Sequence, residues 1–335
     1  MKSKIDDYIR INPQTGLYEP IYWKRAMLPY KLTFDPQYVP TGLLTVAASG
    51  DTTAIFKQPH TSTGLDGGFG SPLLITQTTF EDSTDSTASA LFTISLKDLG
   101  DMTQFMNQPI HILNFAGTAQ LAAKMPEPLF LPSKHALQAK YAKTSGIATT
   151  MRHFFDGKLF MPFNTDLIGY PEDKRAMLTL LSKLTERRRH IFPFWLTTDL
   201  PVVVPANGTL EVETAVGDDG HFEATHIIAT STGEFTVNIL NPETKQAFTN
   251  GQLSSAAGIG TAQNPQKLAT SWLIPAGKKL RFQFTDTSGS SNTIHICLRG
   301  RRFRANLLSG DDVSKLFKTV KQMDQDLRIP KEAVA

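Results

Sequence analysis

The sequence predicts a mainly β protein made of two tandem, homologous, antiparallel β-sandwich or jelly-roll domains, each followed by an amphipathic helix. Three observations lead to this fold class. A long segment of the chain occurs twice, apolar and polar residues alternate over several short segments, and turn-forming residues separate those segments. The composition agrees, since only 19% of the residues are charged and the chain contains 23 glycines and 20 prolines.

The repeat is marked by the tetrapeptide GTAQ, which stands at 117–120 and again at 260–263. Without a gap, 17 of the 69 positions in 92–160 are identical to those in 235–303. Many of the other positions exchange within one chemical class, such as Tyr141 for Phe284. A repeat of this length indicates a duplicated unit that folds the same way twice, and it predicts an equivalent turn at the two GTAQ segments.

The strands are clearest in the second copy. In KKLRFQF the apolar residues Leu280, Phe282 and Phe284 alternate with polar ones, and GEFTVNIL and TIHICLR show the same period of two. Clusters such as NPETK, IPAGK and TDTSGSSN are typical of the turns between them. Short strands separated by such turns, without helical crossovers, predict an antiparallel sandwich or jelly roll.

These patterns divide the chain into five parts. We predict an N-terminal arm over 1–24, a first β-sandwich domain over 25–163, a linker helix over 164–190, a second β-sandwich domain over 191–306, and a C-terminal helix and tail over 307–335. The offset between the copies is 164 at their start and 143 later, so the first copy carries about 21 extra residues. A stretch rich in Gly, Ser and Thr predicts that they form an extra loop or an extra hairpin at about 50–75.

The two ends of the chain carry the candidate partner-binding residues. The N-terminal arm is rich in aromatic residues, and the C-terminal helix has one apolar stripe. Arms and helices that dock on neighbouring copies can join subunits into a ring or shell, so we expect a homo-oligomer. The predicted interface residues are Tyr18, Tyr22, Trp23, Val313, Leu316, Phe317, Val320 and Met323.

Arginines cluster at the end of the linker helix and at the end of the second domain. One interpretation is that they pair with the helix dipole and with acids of a neighbouring domain or subunit. The other is that they contact phosphates of packaged DNA. The residues of this basic patch are Arg187, Arg188, Arg189, Arg299, Arg301, Arg302 and Arg304.

The sequence shows no catalytic constellation, and we predict no enzyme activity, no cofactor, no small-molecule substrate and no metal. His221 and His226 lie five positions apart and so on opposite faces of a strand, which disfavours a metal site with Glu223. His153 occupies an inward position, where a buried, hydrogen-bonded histidine is expected. The single cysteine, Cys297, excludes an intrachain disulfide. No apolar segment is typical of a signal peptide or a membrane span, so no membrane contact is expected.

Three segments resemble structural virion proteins of tailed bacteriophages: FPFWLTTDLPVVVPANGTLEVET, AFTNGQLSSAAGIGTAQNP and SWLIPAGKKLRFQFTDTSGSSNTIHICLRGRRF. The resemblance covers both β-domains. It implies a non-enzymatic building block that is assembled in the host bacterial cytoplasm into a phage particle, in many copies, with itself and other virion proteins as partners. It also implies a head-associated position, as a decoration protein or as part of a collar or connector.

Two alternatives stay open. A double jelly-roll major capsid protein also has two stacked β-barrels in a chain of about this length. A tandem β-sandwich module that binds carbohydrate or a receptor would expose aromatic side chains on its loops, and only Trp195 and Trp272 are candidates for such a platform.

Overall fold

Nearly all of the regular structure in this computed structural model is β-strand. It describes residues 9–11, 18–20, 27–34, 39, 41–48, 50–57, 71–82, 92–118, 120–143, 148–160, 171–198, 201–249 and 251–304. The helices are α1 (Ile112–Phe115) and α2 (Pro171–His190). The strands are β1 (Ile9–Ile11), β2 (Tyr18–Pro20), β3 (Met27–Leu32), β4 (Leu44–Val46), β5 (Asp51–Lys57), β6 (Leu73–Asp82), β7 (Phe92–Asp98), β8 (Ile110–His111), β9 (Ala123–Leu131), β10 (Ala136–Lys143), β11 (Thr149–Phe160), β12 (Ile191–Thr197), β13 (Val202–Val204), β14 (Thr209–Ala215), β15 (Gly220–Ser231), β16 (Phe235–Leu240), β17 (Leu253–Ser254), β18 (Gln266–Ile274), β19 (Lys279–Asp286) and β20 (Asn292–Arg304).

Each copy of the repeat forms two antiparallel sheets with the same strand order. The first copy has the orders β3-β11-β6-β9, with β4 also on β11, and β5-β10-β7-β8. The second copy has β12-β20-β15-β18, with β13 also on β20, and β14-β19-β16-β17. The chain crosses repeatedly from one sheet to the other, which is the connectivity of a jelly roll. The predicted fold class, two tandem homologous antiparallel β-sandwich or jelly-roll domains, is confirmed.

Alternation in the sequence becomes alternation in burial. On β19, Leu280, Phe282 and Phe284 are at most 1% exposed, while the residues between them face outward or are half-buried. This agrees with the side-chain period of two in a strand that has one solvated face. The buried apolar residues of both domains form one continuous cluster, which includes Phe105 of the first domain and Trp195 of the second. The two jelly rolls therefore share a core at their junction.

The extra residues of the first copy do not form one loop. Asp51–Lys57, inside the predicted loop, is the regular strand β5. Between matching strands the first copy has eleven residues against four before β4, fifteen against four before β6, and nine against three before β7. The insertion is therefore divided among three connections, because the conserved strand order requires β5 to hold its place in the sheet.

Helix α2 lies where the linker helix was expected and ends at His190, immediately before β12. Its last turn carries Arg187, Arg188 and Arg189, as a favourable interaction with the helix dipole requires. The predicted C-terminal helix, with Val313, Leu316, Phe317, Val320 and Met323, lies outside the described residues, as do Tyr22 and Trp23; Tyr18 begins β2. Their interface role and the exact domain limits stay predictions.

The two GTAQ segments form the same turn. Gly117 exchanges backbone hydrogen bonds of 3.2 and 2.8 Å with β6, and Gly260 does so with β15 at 3.2 and 3.0 Å. A methyl group on either glycine would stand 2.1 or 2.2 Å from a backbone atom. The hydroxyls of Thr118 and Thr261 each accept the N–H three residues onward, at 3.3 and 3.2 Å. The predicted equivalent turn is confirmed, and its geometry requires the glycine and favours the threonine.

Replacing Gly300 by alanine is expected to lower the free energy of unfolding by about 3 kcal/mol, because the new Cβ would stand in the neighbouring strand. That atom would lie 1.8 Å from the Glu223 carbonyl oxygen, and backbone cannot move aside as a flexible side chain can. Gly251→Ala is the control, since nothing lies within 4 Å of its Cβ position. Chemical denaturation of both variants measures the difference, and equal stability would contradict the close packing at Gly300.

Candidate assembly site at the domain junction

The two jelly rolls meet through different sides of the same fold. The side of the first domain that makes this contact is called its docking side. It consists of residues 101–107, α1, the GTAQ turn at 117–120 and β9. We call β12 and its neighbour β20 the receiving side of the second domain. Strand β12 is buried along its whole length, although it is the outer strand of its sheet. The first domain covers that edge, so the junction protects backbone groups that an edge strand otherwise exposes.

Backbone hydrogen bonds extend the second domain's sheet into the first domain. The Trp195 N–H donates to the Phe105 carbonyl at 2.9 Å, and the Asn107 N–H donates to the Trp195 carbonyl at 3.4 Å. Met106 and Trp195 form a parallel bridge between these bonds. The segment 105–107 thus acts as a short added strand on β12.

Asn107 continues this pairing with its side chain. Its amide nitrogen donates to the Thr197 carbonyl at 2.9 Å, and its amide oxygen accepts the Thr197 N–H at 2.9 Å. The same nitrogen lies 3.0 Å from the hydroxyl of Thr214. A primary amide presents a donor and an acceptor side by side, so it can replace one residue of a strand ladder.

Asn107→Ala is expected to lower the free energy of unfolding by about 1–3 kcal/mol, because the buried Thr197 N–H loses its acceptor. Thr197 is 4% exposed, so water cannot take the place of that acceptor without opening the junction. The neighbouring variant Gln108→Ala changes an exposed residue and should leave stability within about 0.5 kcal/mol of the parent. Urea unfolding of the two variants tests this, and indistinguishable midpoints would contradict the role of Asn107.

Helix α1 carries two more junction residues. Asn114 donates to the His295 carbonyl at 2.9 Å and accepts the Thr230 hydroxyl at 2.7 Å. The ring of Phe115 packs on Trp195 with a centroid distance of 5.0 Å. The second domain has Ala257 and Gly258 at the corresponding positions, so this part of the junction is specific to the first domain.

Arg188 joins the linker helix to both domains. Its guanidinium lies 3.0 Å from Asp98 and 3.5 Å from Asp101, and it stacks over the rings of Phe105 and Phe192 at 5.2 and 5.8 Å. Burial lowers the pKa of Arg188, while the two carboxylates act in the opposite direction. The Arg188 side chain is 4% exposed and that of Asp98 0%. This is a buried, charge-assisted contact of the kind that stacking favours for arginine over lysine.

The arginines of β20 also find partners within the chain. Arg299 is 2% exposed and donates to the carbonyls of Ala262 and Lys124, and its burial lowers its pKa to about 10. Arg301 pairs with Glu223 at 2.6 Å, Arg302 pairs with Asp219, and Arg304 lies 3.5 Å from Asp101.

The predicted basic patch is therefore built into the chain's own junction at most of its positions. Arg187 pairs with Glu127, whereas Arg189 is 70% exposed and lies 3.3 Å from its helix neighbour Glu186. These pairs match the first interpretation of the cluster, ion pairing to a neighbouring domain. Contact with DNA stays a prediction.

Asp98, Asp101 and His135 form the group of metal-ligand type found among the described residues. The Arg188 guanidinium already lies against both carboxylates, and His135 Nδ1 is 2.9 Å from Asp98. A metal ion there would have to displace a buried arginine, so this group is best described as an ion-pair network. Glu223, which the sequence had placed near His226, is held by Arg301 instead.

A cleft of about 1030 Å³ opens beside the junction. Its charged lining alternates in sign, with Asp101, Glu213 and Asp219 against Lys279, Arg302 and Arg304. Because the arginines are paired with two of these acids, the cleft does not present one net charge to a ligand.

None of the helices in the described part of the chain has the length and apolar character of a membrane span.

Sequence reasoning missed the docking residues Asn107, Asn114 and Thr118. One signal for two of them was present, since Asn107 and Thr118 recur as Asn250 and Thr261 in the second copy. A residue that is identical in both copies can lie in a contact between domains or in the core. The alternation of apolar and polar residues does not show which of these two places it occupies.

No protein-family model and no curated protein matches this chain. Among solved structures it is similar to infectious bursal disease virus Gx strain, at 13% identity and a TM-score of 0.21, over 83% of this chain and 70% of that one. The VP2 subviral particle of infectious bursal disease virus matches at 11%, with a TM-score of 0.17, over 83% and 76%. The CBM22-1-CBM22-2 tandem domain of Paenibacillus barcinonensis Xyn10C matches at 11%, with a TM-score of 0.15, over 79% and 92%. Likenesses this weak carry no argument about function.

Proposed function

We propose that this chain is a non-enzymatic structural protein of a phage particle and that it builds the shell itself, as a double jelly-roll coat protein. The observation that carries the proposal is the joining of two complete jelly rolls, with identical strand order, side by side through a buried junction. Jelly rolls are a recurrent fold of viral capsid domains, and a rigid pair of them is a unit that can tile a surface.

The internal sequence identity is compatible with a shell protein. The two halves of double jelly-roll major coat proteins rarely keep recognisable sequence identity. The identity between the two copies of this chain therefore favoured, from the sequence alone, a head-decoration, collar or connector protein. In the structure, however, part of the retained identity lies at the junction, at Asn107 and in the GTAQ turn. Gly117 and Gly260 are each required by the same turn in their own domain, and a position that the fold holds in both copies can stay identical long after a duplication, so the identity does not require a recent one.

A carbohydrate-binding module is the less favoured function. Trp195 is 1% exposed because it forms part of the junction, so it offers no platform for a sugar. Trp272 is half-buried and packs on Phe248, with a centroid distance of 4.8 Å and the two rings tilted by 34°. One half-buried ring on a strand is a weak carbohydrate site, since such sites present open aromatic faces.

The copy number of the chain in purified particles tests the proposal. We expect it to be the most abundant protein by quantitative mass spectrometry, and to remain with the particle when mild chaotrope removes peripheral proteins. A minor share would indicate a collar or connector, and complete removal with an intact shell would indicate a decoration protein. Either result would overturn the shell assignment, and binding on a glycan array with absence from particles would favour the module. A shell protein of this kind would assemble in the host bacterial cytoplasm with itself and other virion proteins.

A further inference from the structure

Two histidine rings meet across the domain junction. His111 ends β8 of the first domain, directly before α1, and His295 lies on β20 of the second domain. Their ring centroids are 4.5 Å apart and the ring planes are tilted by 34°. His111 is 3% exposed, and the Nδ1 atom of His295 is buried without a hydrogen-bond partner among the described residues. A positive charge on either ring would therefore lie in a poorly hydrated site against a second basic group.

His111 also caps helix α1. Its Nδ1 accepts the Leu113 N–H at 3.3 Å, so this geometry assigns the ring to the neutral form with its proton on Nε2. A second proton would go to Nδ1 and would replace the acceptor by a donor that faces the Leu113 N–H. The capped helix carries Asn114, which donates to the His295 carbonyl at 2.9 Å. Protonation of His111 thus removes the cap from a helix that joins the two domains.

Neither histidine is needed by the fold of a single domain. The second copy has Ser254 at the position of His111, and the Ser254 hydroxyl accepts the Ala256 N–H at 3.2 Å. The same cap is made there by a group that does not titrate. The first copy has Arg152 at the position of His295. The two histidines are therefore found together only where the domains meet.

The elements packed against the pair place no charged side chain next to it. His111 lies opposite Thr93 of β7, and His295 lies opposite Thr230 of β15. Helix α1, β8 and β13 contain no titratable residue besides His111 itself. The nearest charged or titratable residues on β7, β15 and β20 are each four positions, or about 13 Å of strand, away, and they are Lys97, His226 and Arg299. Burial, together with the neighbouring His111, lowers the pKa of His295 from 6.5 to about 4.

We propose that this histidine pair is an acid-sensitive switch, which releases the docking side of the first domain from the receiving side of the second while both jelly rolls stay folded. A proton on His295 brings a charge into the contact, and a proton on His111 removes the α1 cap. In the open junction both rings reach water, which hydrates the charge. The closed junction is therefore fully favoured above pH 6.5 and is progressively lost as the pH falls towards 4. The inference goes beyond the shell function and does not depend on it.

Hydrogen exchange of the full-length chain, followed by mass spectrometry at pH 7 and pH 5, tests the switch. The N–H groups of Trp195 and Asn107 bond across the junction and report its opening. The inner strands β10 and β19 report the folding of the two jelly rolls. After correction for the intrinsic pH dependence of exchange, we expect the opening constant of the junction to rise by about 20-fold between pH 7 and pH 5. The N–H groups of β10 and β19 should stay protected at both pH values.

A double variant assigns the response to the pair. His111→Ser combined with His295→Phe keeps the cap in the form that the second copy uses and keeps an aromatic ring in the contact, but it removes both titratable groups. Its junction should have the same protection at pH 7 and pH 5. The control is His226→Phe, which removes another histidine of the second domain whose pKa burial lowers to about 4 and should leave the 20-fold response in place.

Three results would overturn the inference. The first is equal protection of the junction at both pH values in the parent chain. The second is an equal loss of protection at the junction and in β10 and β19, since acid would then unfold the domains and not separate them. The third is a response that persists in the double variant or disappears in the control. None of these results bears on the copy number of the chain in particles, so the shell function stands or falls separately.

Discussion

Replacing Arg188 by methionine is expected to lower the free energy of unfolding by about 3–5 kcal/mol, because it leaves the carboxylate of Asp98 buried without its cation. Asp98 is 0% exposed, and its remaining contacts are the Gly100 N–H at 2.7 Å and His135 at 2.9 Å. The variant also loses the stacking of the guanidinium on Phe105 and Phe192, so we expect the two domains to unfold in separate transitions.

Arg189→Met is the matched control for this prediction. It removes an arginine from the next position of the same helix turn, but that side chain is 70% exposed. We expect a change below about 0.5 kcal/mol. Calorimetry and guanidinium unfolding of both variants give the comparison, and similar losses for the two would show that general helix charge, and not the buried pair, stabilises the junction.

The second large effect comes from a polar triad in the core of the first domain. The two ring nitrogens of His153 lie 2.7 Å from the Thr78 hydroxyl and 2.5 Å from the Tyr141 hydroxyl. Complete burial lowers the pKa of His153 from 6.5 to about 3. The expected buried, hydrogen-bonded histidine is confirmed. The second domain has Ile227, Phe284 and Ile296 at these three positions, all fully buried.

Acid should therefore destabilise the first domain through this histidine. Between about pH 6.5 and pH 3 the unfolded chain protonates this histidine and the folded chain does not, so stability falls with falling pH. The contribution is complete above pH 6.5 and decreases by about 1.4 kcal/mol per pH unit below it, to a total of about 4–5 kcal/mol.

Importing the second domain's residues tests this prediction. The variant Thr78→Ile, Tyr141→Phe, His153→Ile should lose the part of the pH dependence of stability that His153 contributes between pH 6.5 and pH 3, about 1.4 kcal/mol per pH unit. His226 and His295, whose pKa values burial lowers to about 4, stay in both proteins and give the same background. The measurement is urea unfolding at several pH values. An unchanged slope in the variant would assign the acid sensitivity to those other histidines.

Much of the fold could be predicted from sequence because strand burial is local. The alternation at Leu280, Phe282 and Phe284 sets which face of β19 is buried, and turn clusters set where strands end. The site of the insertion was less predictable. One long insertion and three short insertions would give the same difference in offset between the copies. Only the pairing of β5 with β10 shows that the extra residues are divided among three connections.

The candidate site was predicted only in part. The arginines were visible as a cluster, but their partners lie far away in sequence, as with Arg304 and Asp101 or Arg188 and Asp98. A sequence cannot distinguish a phosphate-binding arginine from one neutralised by an acid 90 positions earlier. That distinction depends on how the two domains pack.

The sequence by itself determined that this protein contains two copies of one β-domain. The duplication is visible because the same residues recur at a fixed offset, and the strands are visible because apolar and polar residues alternate with a period of two. The tertiary structure decided how the two copies pack on each other. It placed the docking side of the first jelly roll on the receiving side of the second, and it brought Gln263 of one GTAQ to Thr118 of the other. The physical reason is that a side-to-side contact arises from surfaces assembled out of several separate strands, and no local pattern records which of those surfaces will meet.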